Sequence, residues 1–313
     1  MNRMLQRRLR ARGFTLVEAV LVIVIIGVLA GIVAVFIRAP ILGYRDSIDR
    51  AEITDQADLA LRRIARDVRL ALPNSVRVSA NRDALEFLQT RSGGRYLSPD
   101  DGVDAALTLN FDDPAQLRFT AIAPLGSFAQ VQANDYVVVY NLGPGFEPAN
   151  AYNANVADAG VQRNIARIRS RADVGVTLPG QTAGTVTKGV QIELLANPFA
   201  AQTTAMTSPA QRFQVVSGPV SFYCLARIDG TLDLWRHWGY DIAAAQVVPP
   251  KVPAGGSRAL VASRLTRCDN IFNYSTAASQ RTGLVGIDLA LRGRNDDTQA
   301  IRLVHQVHVD NTP

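Results

Sequence analysis

The most pronounced pattern along the chain is an apolar run near its N-terminus, from Phe14 to Ile37. Only Thr15 and Glu18 interrupt this run, and the 19 residues from Ala19 to Ile37 carry no polar side chain. As an α-helix the run would span about 36 Å at ~1.5 Å per residue, more than the roughly 30 Å hydrocarbon core of a bilayer. The pattern therefore predicts a transmembrane helix.

Helical periodicity resumes after Pro40 and Gly43, where a kink is expected because proline removes an intrahelical hydrogen bond. Apolar residues then recur three or four positions apart until Pro73-Asn74 ends the pattern. This spacing predicts one helix from Phe14 to Leu72, whose second part packs one side on the rest of the protein. The apolar stripe that it would bury consists of Ile53, Ala57, Leu61, Ile64, Val68 and Ala71.

The rest of the chain shows short alternating or apolar runs that are typical of β-strands. Asp229-Gly230 between two of these runs predicts a hairpin, and loops are expected at Asn141–Gly160, Ala196–Arg212 and Val247–Gly256. A long helix on an antiparallel sheet gives an α+β fold. The predicted strands are Val76–Val78, Leu85–Leu88, Leu107–Phe111, Tyr136–Tyr140, Val190–Leu195, Phe213–Val216, Val220–Ile228, Leu232–Trp238, Leu284–Leu291 and Ile301–Val309.

The excess of positive charge is concentrated at the N-terminus of the chain. The 33 Lys and Arg residues exceed the 27 Asp and Glu residues, and this net charge of +6 by itself suggests a nucleic acid or another anionic partner. However, the first 13 residues hold five arginines and no acid, which predicts a cytoplasmic N-terminus and an exported remainder. These arginines are Arg3, Arg7, Arg8, Arg10 and Arg12.

Two simpler interpretations of the apolar run fit less well. A cleaved secretory signal normally has a shorter apolar stretch and a small-x-small cleavage site, whereas this run ends in Phe36-Ile37-Arg38-Ala39-Pro40. An ordinary membrane anchor would leave Glu18 unexplained, because a carboxylate deep in a bilayer costs about 2.5–3.5 kcal/mol on insertion scales. Glu18 is therefore expected to have a function.

The segment Gly13-Phe14-Thr15-Leu16-Val17-Glu18, with its basic leader and long apolar helix, resembles the N-terminus of type IV prepilins and type II secretion pseudopilins. The resemblance implies that a membrane peptidase cuts between Gly13 and Phe14 and methylates the new N-terminus. It also implies that Glu18 neutralises the terminal amine of a neighbouring subunit during assembly. The implied domains are a leader (1–13), a transmembrane assembly helix (14–37), its amphipathic continuation (38–73) and a β-rich globular domain (74–313).

Loss of the leader would change the charge balance. The 33 basic residues less the five arginines of the leader leave 28 against 27 acidic residues, so the mature side chains are nearly neutral. The positive charge is thus expected to set topology and is a poor guide to partners.

Three further segments (60–77, 218–224 and 304–313) are similar to MshO-type proteins, the minor pilins of the mannose-sensitive haemagglutinin (MSHA) pilus. This resemblance implies a scarce, non-enzymatic subunit that helps to start assembly at the pilus tip, with adhesion as a further role. Its partners would be other pilins, the prepilin peptidase and the inner-membrane assembly machinery. The J-type pseudopilin of type II secretion is the alternative, since its early helix carries an Arg-Asp pair like Arg66-Asp67.

A tip module that binds glycan or DNA is the alternative of another class. Its aromatic candidates are Trp235, Trp238 and Tyr240, although a hairpin strand favours core packing for all three. The arginines of two basic clusters lack interleaved aromatics, so a solvated face or a charged edge strand explains them better than nucleic-acid binding. The clusters are Arg62, Arg63, Arg66 and Arg69, and Arg167, Arg169 and Arg171.

Cys224 and Cys268 are 44 residues apart in the part predicted to be exported. An oxidising compartment and an even cysteine count favour one disulfide, and two buried free thiols are the alternative.

An enzyme is disfavoured, because the sequence holds no nucleophile elbow, zinc-protease motif, P-loop or C-x-x-C pair. No cofactor and no metal site is expected. His305 and His308 would lie on opposite faces of a strand and could not bind one ion together. Turn formation explains the acidic loops better than calcium binding does. These loops contain Asp100, Asp101 and Asp104, and Asp112 and Asp113.

Overall fold

The computed structural model describes residues 13–122, 126–154, 162–182, 185–279, 281–293 and 300–313. A long helix is followed by an antiparallel sheet, so the predicted α+β class is confirmed. The chain divides into two compact units, residues 1–52 and residues 53–313.

The helix α1 runs from Leu16 to Val68 over 53 residues and continues through Pro40. It ends four residues before the predicted Leu72. After Val68 the α-helical hydrogen bonds give way to backbone hydrogen bonds between residues three positions apart. The N–H of Leu70 donates to the carbonyl of Asp67 at 3.0 Å, and the N–H of Leu72 then donates to the carbonyl of Leu88 at 2.8 Å. The backbone therefore leaves the helix by pairing with the sheet.

The predicted apolar stripe of the helix is buried. All six of its residues are at most 8% exposed, whereas Leu59 on the other side is 67% exposed. Phe87 and Phe222 belong to the core that the stripe packs in. The helical spacing of apolar residues thus predicted the buried side of α1 correctly.

Twelve strands of the described residues form one antiparallel sheet, in the order β1-β2-β3-β6-β5-β4-β7-β8-β9-β11-β10, with β12 paired to β11. Short 3₁₀ helices span Pro99–Asp101, Ala105–Leu107, Ala151–Asn153 and Pro198–Ala201. The strands are β1 (Arg77–Val78), β2 (Ala84–Tyr96), β3 (Arg118–Ile122), β4 (Tyr136–Val138), β5 (Ile165–Val176), β6 (Thr187–Leu194), β7 (Arg212–Ala226), β8 (Leu232–Tyr240), β9 (Gly255–Leu265), β10 (Phe272–Ser279), β11 (Thr282–Arg292) and β12 (Ala300–Asp310).

Strand β2 pairs with β7 as well as with β3, so β2, β3, β6, β5, β4 and β7 close into a ring. The ring encloses its own apolar core, which includes Tyr96, Phe119 and Phe213. The other ends of β2 and β7 belong instead to the core under α1, through residues such as Phe87 and Phe222. Two long strands therefore contribute to both of these cores, and Leu88 and Val216 join a third cluster around Tyr152.

The strand prediction was wrong at several places. Leu107–Phe111 is not a strand. A 3₁₀ helix ends at Leu107, and the backbone N–H of the buried Leu109 donates to the carbonyl of Leu97. Two predicted strands on either side of Gly218-Pro219 are one strand, β7. On one side of β7 the pairing partner changes at this point, since β4 pairs with β7 up to Val216 and β8 pairs with it from Val220 onward. A proline is tolerated in this gap because its missing N–H interrupts neither ladder.

Strands β3, β9 and β10 were not predicted, and β5 was expected only from its alternating arginines, Arg167, Arg169 and Arg171. Strand β9 (GGSRALVASRL) and strand β10 (FNYSTAAS) are rich in small and polar residues, so their alternation is weak. The predicted loop Val247–Gly256 ends where β9 begins at Gly255. Within the predicted loop Asn141–Gly160, residues 155–160 lie outside the described part of the chain.

A buried ion pair joins α1 to the sheet. The Nε of Arg236 on β8 donates to Oδ2 of Asp67 at 2.6 Å, and the two side chains are only 13% and 7% exposed. The guanidinium also lies 4.6 Å from the ring centre of Trp238. Arg66, by contrast, is 75% exposed and 3.9 Å from Asp67. Asp67 therefore pairs mainly with Arg236 of the sheet and not with its sequence neighbour Arg66.

The two cysteines meet as a disulfide. Cys224 on β7 and Cys268 after β9 have Cα atoms 5.3 Å apart and are bonded through their sulfurs. Both pack in the core under α1. The bond closes a loop over a sequence separation of 44 residues and ties the β9–β10 connection to the sheet.

We expect Asp67→Ala to lower the free energy of unfolding by about 3–5 kcal/mol, because it leaves the Arg236 guanidinium buried without a carboxylate. Urea denaturation of the full chain in detergent micelles measures this, since the two tryptophans, Trp235 and Trp238, both report on β8. The exposed Arg66→Ala is the matched control and should change stability by no more than about 0.5 kcal/mol. Equal effects of the two variants would contradict the assignment.

Removal of the disulfide in the double variant Cys224→Ser, Cys268→Ser should lower the free energy of unfolding by about 2–4 kcal/mol, because the unfolded chain regains its loop entropy. The same urea experiment with a reductant should destabilise the wild-type chain by a similar amount and leave the double variant unchanged. A reductant without effect on the wild-type chain would show that no disulfide contributes.

Candidate assembly and processing site

The segment that precedes α1 is non-helical and exposed. Gly13, Phe14 and Thr15 lie outside the helix, and the Phe14 side chain is 70% exposed. A Cβ atom placed on Gly13 would meet no other atom within 4 Å. Among the described residues, nothing therefore covers the peptide bond between Gly13 and Phe14.

Thr15 and Glu18 form reciprocal hydrogen bonds where α1 begins. The backbone N–H of Thr15 donates to Oε2 of Glu18 at 3.3 Å, and the backbone N–H of Glu18 donates to the Thr15 hydroxyl at 3.2 Å. This capping box satisfies groups that an α-helix leaves unpaired in its first turn. Glu18 thus has a local role that sequence reasoning missed, although a threonine three residues before a glutamate is the usual signature of this motif.

The apolar part of α1 presents its side chains to the surface. Within the described residues, α1 is the one helix long and apolar enough to cross a membrane, with a mean hydropathy of 3.4 in its most apolar window. None of that window is buried. The exposure extends from Leu16, at 80%, to Ile37, at 52%. Such a surface requires lipid or other apolar helices around it.

A buried polar network holds the first strands together. Glu86 is 2% exposed and accepts hydrogen bonds from Arg77 Nε at 2.9 Å, from Ser221 at 3.2 Å and from Tyr240 at 3.1 Å. Arg77 also donates to the carbonyls of the 243–244 segment and stacks on Tyr152, 3.7 Å from the ring centre. These contacts join β1, β2, β7 and β8.

Burial shifts the acids of this network toward their protonated forms. It raises the pKa of the Glu86 carboxyl, against the opposing effect of Arg77. Burial also raises the pKa of the Tyr240 and Tyr152 hydroxyls, and the Glu86 carboxylate adds to the rise. The described contacts of the network are hydrogen bonds and ring contacts that hold neighbouring strands together.

The histidines do not converge. On β12, Val307 and Val309 are buried and His308 is exposed, which confirms the predicted alternation and puts His305 on the apolar side. His237 is buried, with Nδ1 3.2 Å from the Tyr223 hydroxyl and Nε2 2.7 Å from the Gly255 carbonyl. In the described residues, no group of three or more His, Cys, Asp or Glu could hold a metal ion.

The acidic loops use their carboxylates locally. Asp101 pairs with Arg95 and accepts from the N–H of Ser98 at 2.8 Å, and these bonds lower the pKa of Asp101 against an opposing effect of burial. Asp104 caps a 3₁₀ helix, and Asp113 accepts from the N–H of Ala115 at 2.9 Å. Turn formation thus occupies these side chains.

The aromatic candidates are mostly internal. Tyr240 is buried beside Glu86, and Trp238 packs against the core under Arg236. Trp235 is half-buried on the opposite face of β8, where the Arg258 guanidinium lies 4.9 Å from its ring centre. These three residues therefore form no common binding surface.

The basic clusters are partly neutralised by their neighbours. Arg62 on α1 lies 2.8 Å from Asp58. On β5, Arg167 donates to the hydroxyl of Tyr136 at 2.6 Å, and Arg171 lies 3.3 Å from Asp173.

A comparison with protein families matches residues 8–34 to the prokaryotic N-terminal methylation motif. Searches among curated proteins and among solved structures found no match to the chain. The matched residues contain the Gly13–Phe14 bond, Thr15 and Glu18, followed by the apolar helix. The motif suggests a structural subunit that associates with other pilins and with pilus assembly machinery. Together, motif and helix indicate a membrane-anchored protein that resembles type IV pilins or pseudopilins.

Proposed function

We propose that the chain is a minor pilin of an MSHA-type type IV pilus, which enters the filament through its apolar helix and acts in the tip complex that starts assembly. The observation that carries this proposal is the exposed apolar surface of α1, most of which lies within the methylation motif at residues 8–34. A surface of this kind is compatible with two apolar environments, one before assembly and one after it. Lipid surrounds it before assembly, and the helices of other subunits surround it afterwards.

The proposed processing exposes a charge that Glu18 can neutralise. Cleavage after Gly13 gives Phe14 a positively charged amine at the start of an apolar helix. In a helix bundle an unpaired charge costs several kcal/mol, so the amine of one subunit and the carboxylate of another favour one axial register. Glu18 would then exchange its capping bonds with Thr15 for a contact between subunits.

The similarity of three segments to MshO-type proteins supports the finer assignment. These segments (60–77, 218–224 and 304–313) contribute Ile64, Val220 and Val307 to the same core under α1. The resemblance therefore concerns one packed region of the globular unit. Adhesion is a further role that this assignment would allow.

We propose a single-pass topology in the inner membrane, with the leader in the cytoplasm and residues 38–313 in the periplasm and later on the cell surface. Five arginines before the apolar run support this orientation. An exported β domain also suits the disulfide between Cys224 and Cys268, since such bonds persist in oxidising compartments.

A J-type pseudopilin of type II secretion remains the alternative, because the same motif occurs in that class. Deletion of the chain in its host distinguishes the two functions. Loss of surface pili with normal protein secretion supports the pilin, whereas loss of secretion with normal pili supports the pseudopilin.

Mass spectrometry of the chain purified from its host membrane tests the processing. We expect an N-terminal peptide that begins with Phe14 and carries one added methyl group, because the peptidase would cut the exposed bond after Gly13. Replacement of Gly13 by a bulky residue, as in Gly13→Val, should leave the leader in place. A wild-type chain that retains its leader, or is cut after Ile37, would contradict the proposal.

Two variants, one at Glu18 and one at Thr15, separate the capping role of Glu18 from the role of its charge. Glu18→Gln keeps an acceptor for the Thr15 N–H but removes the charge, so we expect normal processing and a marked loss of surface pili. Thr15→Ala removes the hydroxyl but keeps the carboxylate, so pili should persist. Pili are counted by electron microscopy after complementation of a deletion strain. Normal piliation with Glu18→Gln would refute the proposed charge pairing.

A further inference from the structure

A cleft lies at one end of the sheet, where β8 begins and where β9 and β11 end. Its volume is about 350 Å³. The hairpin between β7 and β8 forms one wall through Asp229, Gly230 and Thr231. Arg264, near the end of β9, and Arg292, the last residue of β11, also line it. The described residues that line the cleft belong to the sheet and its connections.

Arg264 occupies an unusual backbone position. Between the pairs Leu232↔Leu265 and Leu234↔Ala262, strand β9 has one residue more than β8, which makes a β-bulge. Arg264 lies in this bulge with a φ of 60°, in the left-handed region that most residues avoid. Bulges re-aim side chains and are frequent beside functional sites.

The guanidinium of Arg264 is not fully satisfied. Its Nε atom is buried and has no hydrogen-bond partner among the described residues. Burial of an N–H donor away from protein acceptors costs free energy, because the donor leaves bulk water. The residue as a whole is half-buried, and it lines the cleft.

Arg292 is exposed and has no acidic partner in the described part of the chain. Neighbouring arginines differ: Arg267 and Arg302 each lie 2.7 Å from the carboxylate of Asp288. Within the described residues, Asp288 therefore pairs with two arginines of this region, whereas Arg264 and Arg292 have no carboxylate partner and line one cleft.

The third charged group of the cleft is Asp229, whose Oδ1 accepts from the N–H of Thr231 at 2.9 Å. This bond is the largest of the effects that lower the pKa of Asp229, so the carboxylate is ionised at neutral pH. The described lining of the cleft thus offers two cationic donors and one anionic acceptor. A ligand that fits must present an anion to the arginines and a hydroxyl donor to Asp229.

We propose that this cleft binds a carboxylate that carries a neighbouring hydroxyl group, as a uronic acid does. The planar guanidinium fork matches a carboxylate through two parallel hydrogen bonds. Phosphate could use the same arginines but would bring more negative charge toward Asp229. The proposal does not depend on the assembly role of α1, so either can fail without the other.

Isothermal titration calorimetry of the full chain in detergent micelles tests this site, with D-glucuronate as the probe. We expect saturable binding that weakens at least tenfold in Arg264→Gln and in Arg292→Gln. Glucose, which lacks the carboxylate, should not bind, and added NaCl should weaken glucuronate binding because exposed charges are screened. Arg62→Gln is the control, since Arg62 is 76% exposed and paired with Asp58 on α1.

Urea denaturation of each variant checks that the sheet is intact before binding is compared. The proposal is overturned if glucuronate does not bind saturably to the wild-type chain, or binds equally well to both cleft variants. Tighter binding of inorganic phosphate than of glucuronate would also overturn it and assign the arginines to a phosphate site.

Discussion

The globular unit depends on the burial of one helical stripe against the ends of two long strands. Ile53, Ile64 and Val68 on α1 are at most 1% exposed and share a core with Phe87 and Phe222 of β2 and β7. Burial of large apolar side chains stabilises by about 1.5–3 kcal/mol each, so this contact outweighs any single polar bond in the unit. The Asp67–Arg236 pair fixes the position of the end of α1 on β8, because a buried ion pair tolerates little displacement of either partner.

The same two strands then build the second core. Beyond Leu88 on β2 and before Gly218 on β7, pairing with β3 and β4 closes the six-stranded ring around Phe119 and Phe213. Register shifts in the β2–β7 ladder at Thr90 mark the change from one core to the other. A bulge bends and twists a strand locally, which lets one continuous strand enter two differently oriented environments. The helix-bearing part and the ring are therefore mechanically coupled through β2 and β7.

The N-terminal segment carries a different kind of constraint. A helix that is apolar on every side cannot be stable alone in water, and α1 between Leu16 and Ile37 has no buried face of its own. Glu18 is the charged residue in this surface, and it forms capping hydrogen bonds with Thr15 in this structure. The proposed assembly chemistry is concentrated in a few residues at the helix start, and the proposed ligand site is the cleft of Arg264 and Arg292 in the globular unit.

Local sequence determined what depends on periodicity and on the order of neighbouring residues. The apolar run, the buried stripe of α1, the alternation on β12, the Asp229-Gly230 hairpin and the methylation motif could all be read from the chain, because each is a local pattern. The pairing of Cys224 with Cys268 could be expected from their number and compartment. Weakly alternating strands such as β9 and β10 could not be predicted, since their partners far away in sequence hold them in place.

Only the tertiary structure decided which charges are buried, and with which partners. Asp67 and Arg236 are 169 residues apart, and Glu86 and Tyr240 are 154 apart, so no local pattern could pair them. The left-handed backbone of Arg264 likewise results from a register mismatch between β8 and β9. Burial makes these polar groups energetically decisive, and burial depends on contacts between distant parts of the chain.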